Sequence, residues 1–184
     1  MRHLVVRQRL GRAGRPRRHE RARGDRIRPG VRAAGRHGAA ARGGPRGVRP
    51  RADVAILAVP GLTASPLALG DELAASDEAV VAGYPGGGPY QATGARIREV
   101  VQALGTDIQH EQPVTREVYS VRGTVRPGDS GGALFDAQGR VVGLVFATST
   151  VDSQTGYAMT LDEIAPVLQQ AGATTPVDSG RCSR

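Results

Sequence analysis

Residues 52 to 184 predict an all-β fold, an antiparallel barrel followed by one short helix. Three observations carry this expectation. Apolar or alternating runs recur at 54 to 59, 79 to 84, 93 to 101, 117 to 122, 132 to 136 and 140 to 147. Clusters of Pro and Gly such as "GYPGGGPY" separate them, as turns separate short strands. Only the stretch after residue 160 has helical spacing, and a chain of short strands satisfies its edges by closing into a barrel.

The first 51 residues are a different polymer. All 25 basic residues of the chain are Arg, and 17 of them fall in residues 1 to 51 beside only Glu20 and Asp25, a formal charge of 17 − 2 = +15. Residues 52 to 184 carry 8 − 15 = −7. An Arg, Gly, Ala and Pro stretch without apolar periodicity buries too little surface to fold, so residues 1 to 51 are expected to be disordered. Their charge alone would suit an anionic partner such as nucleic acid. A third origin is a GC-rich gene translated out of frame, which yields this composition. Back-translation of Arg18 to Arg26, shifted by one base, permits "VTNAHVVT", and Arg46 to Arg51 likewise permits "VVYDP", running into "RADVAIL". The frameshifted or wrongly started origin is preferred here, and no nucleic-acid partner is expected. "MRHLVVRQRLGR" has too short an apolar core for a signal peptide, and no run of about twenty apolar residues offers a membrane span.

"RADVAILAVPGL" opens the foldable part with Asp53 at the mouth of an apolar strand. Asp before a strand is also an ordinary turn residue. "GYPGGGPY" lacks the Lys and the following helix of a phosphate loop. "RPGDSGGALFD" then places Ser130 between an aspartate and two glycines, ahead of an apolar run. Turn composition explains those residue types but not their order. A nucleophilic serine needs backbone N–H groups aimed at the developing oxyanion, and glycines that let substrate approach the main chain. After it, "GALF", the turn "DAQG" and "RVVGLVFATS" read as a hairpin. Thr160 caps the one helix, Glu163 completes a capping box, and Leu161, Ile164, Ala165 and Leu168 form its apolar face before Gly172 ends it.

"GDSGG" resembles the nucleophile motif of the trypsin and chymotrypsin-like serine proteases, and "DVAIL" resembles the segment holding their triad aspartate. The resemblance extends to "GYP" and to "TGYAMT", which resembles the strand closing the substrate cleft. It implies a chymotrypsin-like double β-barrel whose second barrel is complete and whose first is largely missing, with residues 52 to 184 a partial protease domain. Carried over residue by residue, Ser130 is the nucleophile, Asp53 orients the catalytic base, and the amides of Gly128 and Ser130 form the oxyanion hole. Thr124 forms the pocket floor, and Val145, Phe146, Ala147 and Thr148 line the pocket and pair with the substrate backbone. A neutral residue at Thr124 implies a neutral substrate side chain. Tyr157 is either a cleft residue or a half-buried strand residue.

A triad also requires a histidine. None of His3, His19, His37 and His110 lies in a segment like "TNAHVV", where this family holds its base about thirty residues before the aspartate. His19 sits in "RRHERARG", a solvated basic stretch, and His110 in the polar loop "IQHEQP". Chain as written, the expected serine endopeptidase is therefore nearly inactive.

"RPGDSGGALFDAQGRVVGLVFATS", "TGYAMTLDEI" and the terminal cysteine together are similar to the MarP-type acid-resistance proteases of actinobacteria. That group implies a periplasmic, membrane-anchored protease acting on a protein or peptide substrate, with Cys182 a disulfide candidate whose partner is absent. Alone, one thiol says little about compartment. No clustered His, Cys or carboxylate set has ligand spacing, so neither metal nor cofactor is expected. The competing expectation is a noncatalytic protease-like module that grips peptides, or nucleic acid through its basic tail.

Overall fold

The computed structural model describes residues 44–49, 51–59, 64–107 and 110–172. Cys182, His3, His19 and His37 lie outside the described residues.

Two antiparallel strands come first, β1 (Gly44–Arg49) and β2 (Val54–Ala58), paired from Gly44↔Ala58 to Arg49↔Val54. β1 lies within the arginine-rich segment expected to stay unfolded, so ordered backbone begins before the boundary that composition suggests. The remaining strands are β3 (Glu78–Gly83), β4 (Gln91–Thr106), β5 (Pro113–Arg122), β6 (Ala133–Asp136), β7 (Val141–Thr148) and β8 (Thr155–Thr160). They form a closed barrel in the order β3-β4-β5-β8-β7-β6. Its inside is filled by Ala79, Val81, Ile97, Tyr119, Val121, Val125, Leu134, Val142, Val145 and Ala158. Alternate residues of each strand point inward, which is why these β-branched and small side chains sit two apart.

A second apolar cluster covers the outside of the barrel. Helix α1 (Leu161–Leu168) lays Ile164 and Val167 beside Ala52, Val54 and Ile56 of the first sheet and Val118, Leu144 and Met159 of the barrel. β5 is thereby buried on both faces, and Val118, Tyr119, Ser120 and Val121 are all buried in succession.

The lengths of β4 and β5 and the cap of α1 differ from the sequence expectation. β4 and β5 run well past the predicted 93 to 101 and 117 to 122, because their far halves form a two-stranded ribbon. There Gln102, Leu104 and Thr115 face solvent and little apolar periodicity remains to be read. Strand β8 is held by ladders on both edges, from β5 and from β7, which compensates for its Gly and Met. The capping box at α1 is only half built. Glu163 N–H donates to Thr160 Oγ1 at 3.1 Å, but the Glu163 carboxylate accepts from the Glu117 amide at 2.9 Å. Thr160 is the last residue of β8, paired with Gly143, so its own backbone belongs to the sheet.

The β6–β7 turn is organised by Asp136, which is 3% exposed. Its Oδ1 accepts from the amides of Arg140 at 2.8 Å and Gln138 at 3.0 Å, and its Oδ2 from Arg140 Nε at 2.7 Å. Arg140 also reaches Asp71 at 3.0 Å, tying the 64–72 segment to the barrel. Desolvation opposes the charged form of Asp136, but the Arg140 amide and guanidinium and the Gln138 amide outweigh it and hold this carboxyl below its ordinary range. A carboxyl depressed in the folded state contributes stability above its unfolded pKa of about 3.9 and loses it as pH falls through the folded value. The stability difference between wild type and Asp136→Asn is therefore expected to be constant from pH 7 to about 5 and to shrink below about 4. Thermal unfolding across pH 2 to 7 measures it, and a difference that never shrinks removes the linkage assigned to Asp136.

Candidate active site

Ser130 stands on a tight turn that the barrel grips from two sides. Within the turn, Asp129 N–H donates to Arg126 O at 2.9 Å, Gly132 N–H to Asp129 O at 2.8 Å, and the buried Asp129 carboxylate accepts from the Arg126 amide at 2.8 Å. On the β7 side, Gly131 N–H donates to Val145 O at 2.8 Å and Val145 N–H to Gly132 O at 2.9 Å. Ser130 Oγ donates to Phe146 O at 3.2 Å. On the other side, Gly86 N–H donates to Pro127 O at 2.7 Å. Gly86 belongs to a 3-10 turn, Pro85–Gly87, in the loop between β3 and β4.

Two glycines make this packing possible. Gly128 has φ 102°, and a Cβ there would press on Tyr84 O and lie 2.7 Å from Gly86 N. A Cβ on Gly132 would press on Ala82 O. The motif's glycines thus let three main-chain segments touch with no side chain between them. Among the described residues, the amides of Gly128 and Ser130 donate to no protein acceptor.

Of the residues carried over to the pocket, the structure brings Val145 and Phe146 to the serine turn. The Val145 side chain is 1% exposed and faces the barrel core, so what it offers the turn is backbone. Phe146 is half-buried, with its ring 6.4 Å from that of Tyr157. Tyr157 is likewise half-buried, packed at the edge of the outer cluster. Ala147 and Thr148 continue β7 beyond its last pairing with β6, at Ala133↔Leu144, so that edge of the strand is open. Thr124 is exposed and lines an open depression of about 710 Å³ with Glu78, Thr93, Arg96, Arg122 and Gln154. Ser130 and Phe146 are not part of that depression. The residue after it, Val125, is buried and packs into the space left by Gly156 on β8.

Asp53 sits in the turn entering β2 with φ 55°, a left-handed conformation that Asp tolerates better than most residues. Its neighbours Ala52 and Val54 pack in the cluster that contains Val118. Two residues before Val118 lies Arg116, 8% exposed, its guanidinium donating to Thr106 O at 2.9 Å. Burial lowers the pKa of Arg116, while the charges of Asp53, Glu163 and Asp107 work to raise it. The charge of Asp53 thus acts on a buried cation. Nothing in "VTREVY" announces this, because an Arg in an alternating strand reads as exposed. His110, the one histidine among the described residues, is exposed on the β4–β5 connection, its Nδ1 2.9 Å from Thr106 Oγ1. It pairs with neither Asp53 nor Ser130.

The arrangement offers a hydroxyl, two unengaged amides beside it, and an open strand edge running away from it. Among the described residues, no three His, Cys, Asp or Glu side chains gather as metal ligands, and no helix is long and apolar enough to cross a membrane.

Gly139 also has a positive φ, 76°, but nothing lies within 4 Å of a Cβ placed there. Gly139→Ala is expected to cost about 1 kcal/mol, the left-handed penalty alone. Gly128→Ala is expected to cost about 1 to 3 kcal/mol more, since it adds the collision with the 84–87 loop. Urea unfolding compares the two, and equal costs mean that the loop does not press on the turn.

The family model described as the trypsin-like peptidase domain matches residues 2–144. The chain is 49% identical over 135 residues to the serine protease Rv3671c of Mycobacterium tuberculosis, covering 72% of this chain and 34% of that one. It superposes on the crystal structure of that protease in its active form with a TM-score of 0.75 at 43% identity, covering 79% of this chain and 65% of the other. It is 30% identical over 139 residues to a probable periplasmic DegP-like serine endoprotease of Ectopseudomonas mendocina, covering 73% of this chain and 28% of that one. The chain thus spans about a third of the length of the curated relatives it matches.

Proposed function

The chain belongs to the trypsin-like peptidase family, whose members are serine endopeptidases acting on protein substrates, and we propose that Ser130 is the nucleophile of its site. The observation that carries this is the turn itself: Ser130 Oγ donates to Phe146 O, and the Gly128 and Ser130 amides donate to no protein acceptor among the described residues. An acyl carbonyl placed over Oγ would meet both amides as its oxygen becomes negative, the form of stabilisation that such sites supply. The edge of β7 at Ala147 and Thr148, unpaired with β6 among the described residues, offers backbone groups to an extended peptide, giving affinity through main-chain hydrogen bonds. In the proposed mechanism, Oγ attacks the scissile carbonyl, the amine leaves with a proton, and water releases the acyl group from Ser130.

The base is the weak part of this chain. His110 is bound to Thr106, and His19 lies in "RRHERARG". Removing the catalytic histidine costs on the order of 10⁶-fold in turnover in another serine protease. We therefore assign the chain as written a peptide-binding, slowly acylated serine site. Placement outside the cytoplasm is proposed with it, supported by the periplasmic DegP-like relative.

A fluorophosphonate probe is expected to modify Ser130, identified by mass spectrometry, and to leave Ser130→Ala unlabelled. Without a positioned base, the labelling rate should rise steadily with pH, and Asp53→Asn should change it by less than about twofold. A rate that titrates near the ordinary histidine pKa of about 6.5 and falls steeply in Asp53→Asn would instead place a working histidine beside Asp53. Labelling that ignores Ser130 sinks the assignment.

A further inference from the structure

Two exposed tyrosines stand on the loop whose main chain abuts the serine turn, and neither the fold nor the proposed chemistry uses them. Tyr84 and Tyr90 flank the glycine loop between β3 and β4, 36% and 58% exposed. Their ring centroids lie 5.6 Å apart at an interplanar angle of 63°, an edge-to-face pair. Such a pair presents an aromatic face and edge to whatever lies against it, and exposed aromatic surface of this kind marks binding sites.

Their position follows from the main-chain contacts of the turn. Tyr84 O and Gly86 N occupy the space where a Cβ of Gly128 would be, and Gly86 N–H is bonded to Pro127 O at 2.7 Å. The tyrosine loop therefore abuts the Pro127 and Gly128 end of the turn, while β7 abuts its Ser130 to Gly132 end. A peptide whose acyl half runs along the open edge of β7 crosses Ser130 and leaves the turn past Gly128, on the tyrosine side. Resting on the assignment of Ser130 as nucleophile, we propose that Tyr84 and Tyr90 form the binding surface for the leaving half of the substrate. They select an aromatic or proline residue within two positions after the scissile bond. Flat apolar side chains fit because they stack on one ring while meeting the edge of the other. The neighbouring Gly86 and Gly87 carry no side chain that would cover the rings.

Peptidyl α-ketoamides test this in a fixed register, because Ser130 adds to the keto carbon and the amide substituent then lies on the leaving side. Two compounds that differ only there, a benzylamide and a methylamide, compete with fluorophosphonate labelling of Ser130 in the full chain. The benzylamide is expected to protect about 3- to 10-fold better, the range of one aromatic contact. Tyr90→Ala is expected to bring the ratio to about 1, Tyr90→Phe to retain it, and Leu104→Ala, a change at an exposed residue on the β4–β5 ribbon, to retain it. Equal protection by the two compounds in the wild-type chain overturns the tyrosine surface while leaving the nucleophile assignment intact. So does a preference that survives Tyr90→Ala. If Ser130 takes no label at all, the nucleophile assignment falls, and this inference falls with it.

Discussion

Backbone lying directly on backbone around the serine turn is the contact on which the rest of the site depends. The carbonyls of Ala82 and Tyr84 occupy the places where Gly132 and Gly128 would carry Cβ atoms, and Val145 closes the turn from the opposite side with two hydrogen bonds. These three segments are more than forty residues apart at the first junction and thirteen at the second. They meet because β6 pairs with both β3 and β7 as the barrel closes. A filled core of Val, Ile, Leu and Tyr side chains keeps that closure rigid, since close-packed interiors resist small displacements. Barrel packing in this way fixes the main chain of the serine turn.

A second constraint is electrostatic and links the aspartate to the outside of the barrel. Arg116 is taken almost fully out of water on β5, with its Nε lacking a partner among the described residues. A buried cation is tolerated when carboxylates surround it, and here they come from three elements: Asp53 before β2, Glu163 on α1 and Asp107 after β4. Glu163 simultaneously accepts from the Glu117 amide, while Thr160 Oγ1 donates to Glu117 at 2.8 Å. Helix, barrel and the first sheet are thus joined by charge and hydrogen bonds as well as by the apolar cluster of Val54, Ile56, Val118, Met159 and Val167. The acidic balance of residues 52 to 184 is spent partly on these internal contacts rather than on a uniformly negative surface.

Much of the fold was legible in the residues themselves. Runs of Val, Ile and Leu broken by Pro and Gly marked most of the strands, because strand periodicity is local and turns need particular residues. The Thr160 cap was visible for the same reason. What escaped was set by contacts: the far ends of β4 and β5, which form a ribbon with little apolar pattern. At the site, Ser130 and its glycines were plain from their order alone. Arg116 was invisible, since a strand arginine carries no mark of burial, and Thr124, carried over to the pocket floor by resemblance, lines an open depression whose lining does not include Ser130. Val145 was expected to line the pocket, yet its side chain fills the core.

The sequence by itself determined the glycine-flanked serine turn, the antiparallel strands and the division of the chain into a basic first quarter and an acidic remainder. Each of these depends on residues within about a dozen positions of one another, or on composition alone. Only the tertiary structure decided that the charge of Asp53 acts on the buried Arg116, that the pairing of β7 with β6 ends beside Ser130, and that the main chain of the Tyr84–Gly87 loop lies against Gly128. Those relations join segments dozens of residues apart, and the closing of a barrel around its core, not any local preference, brings them together.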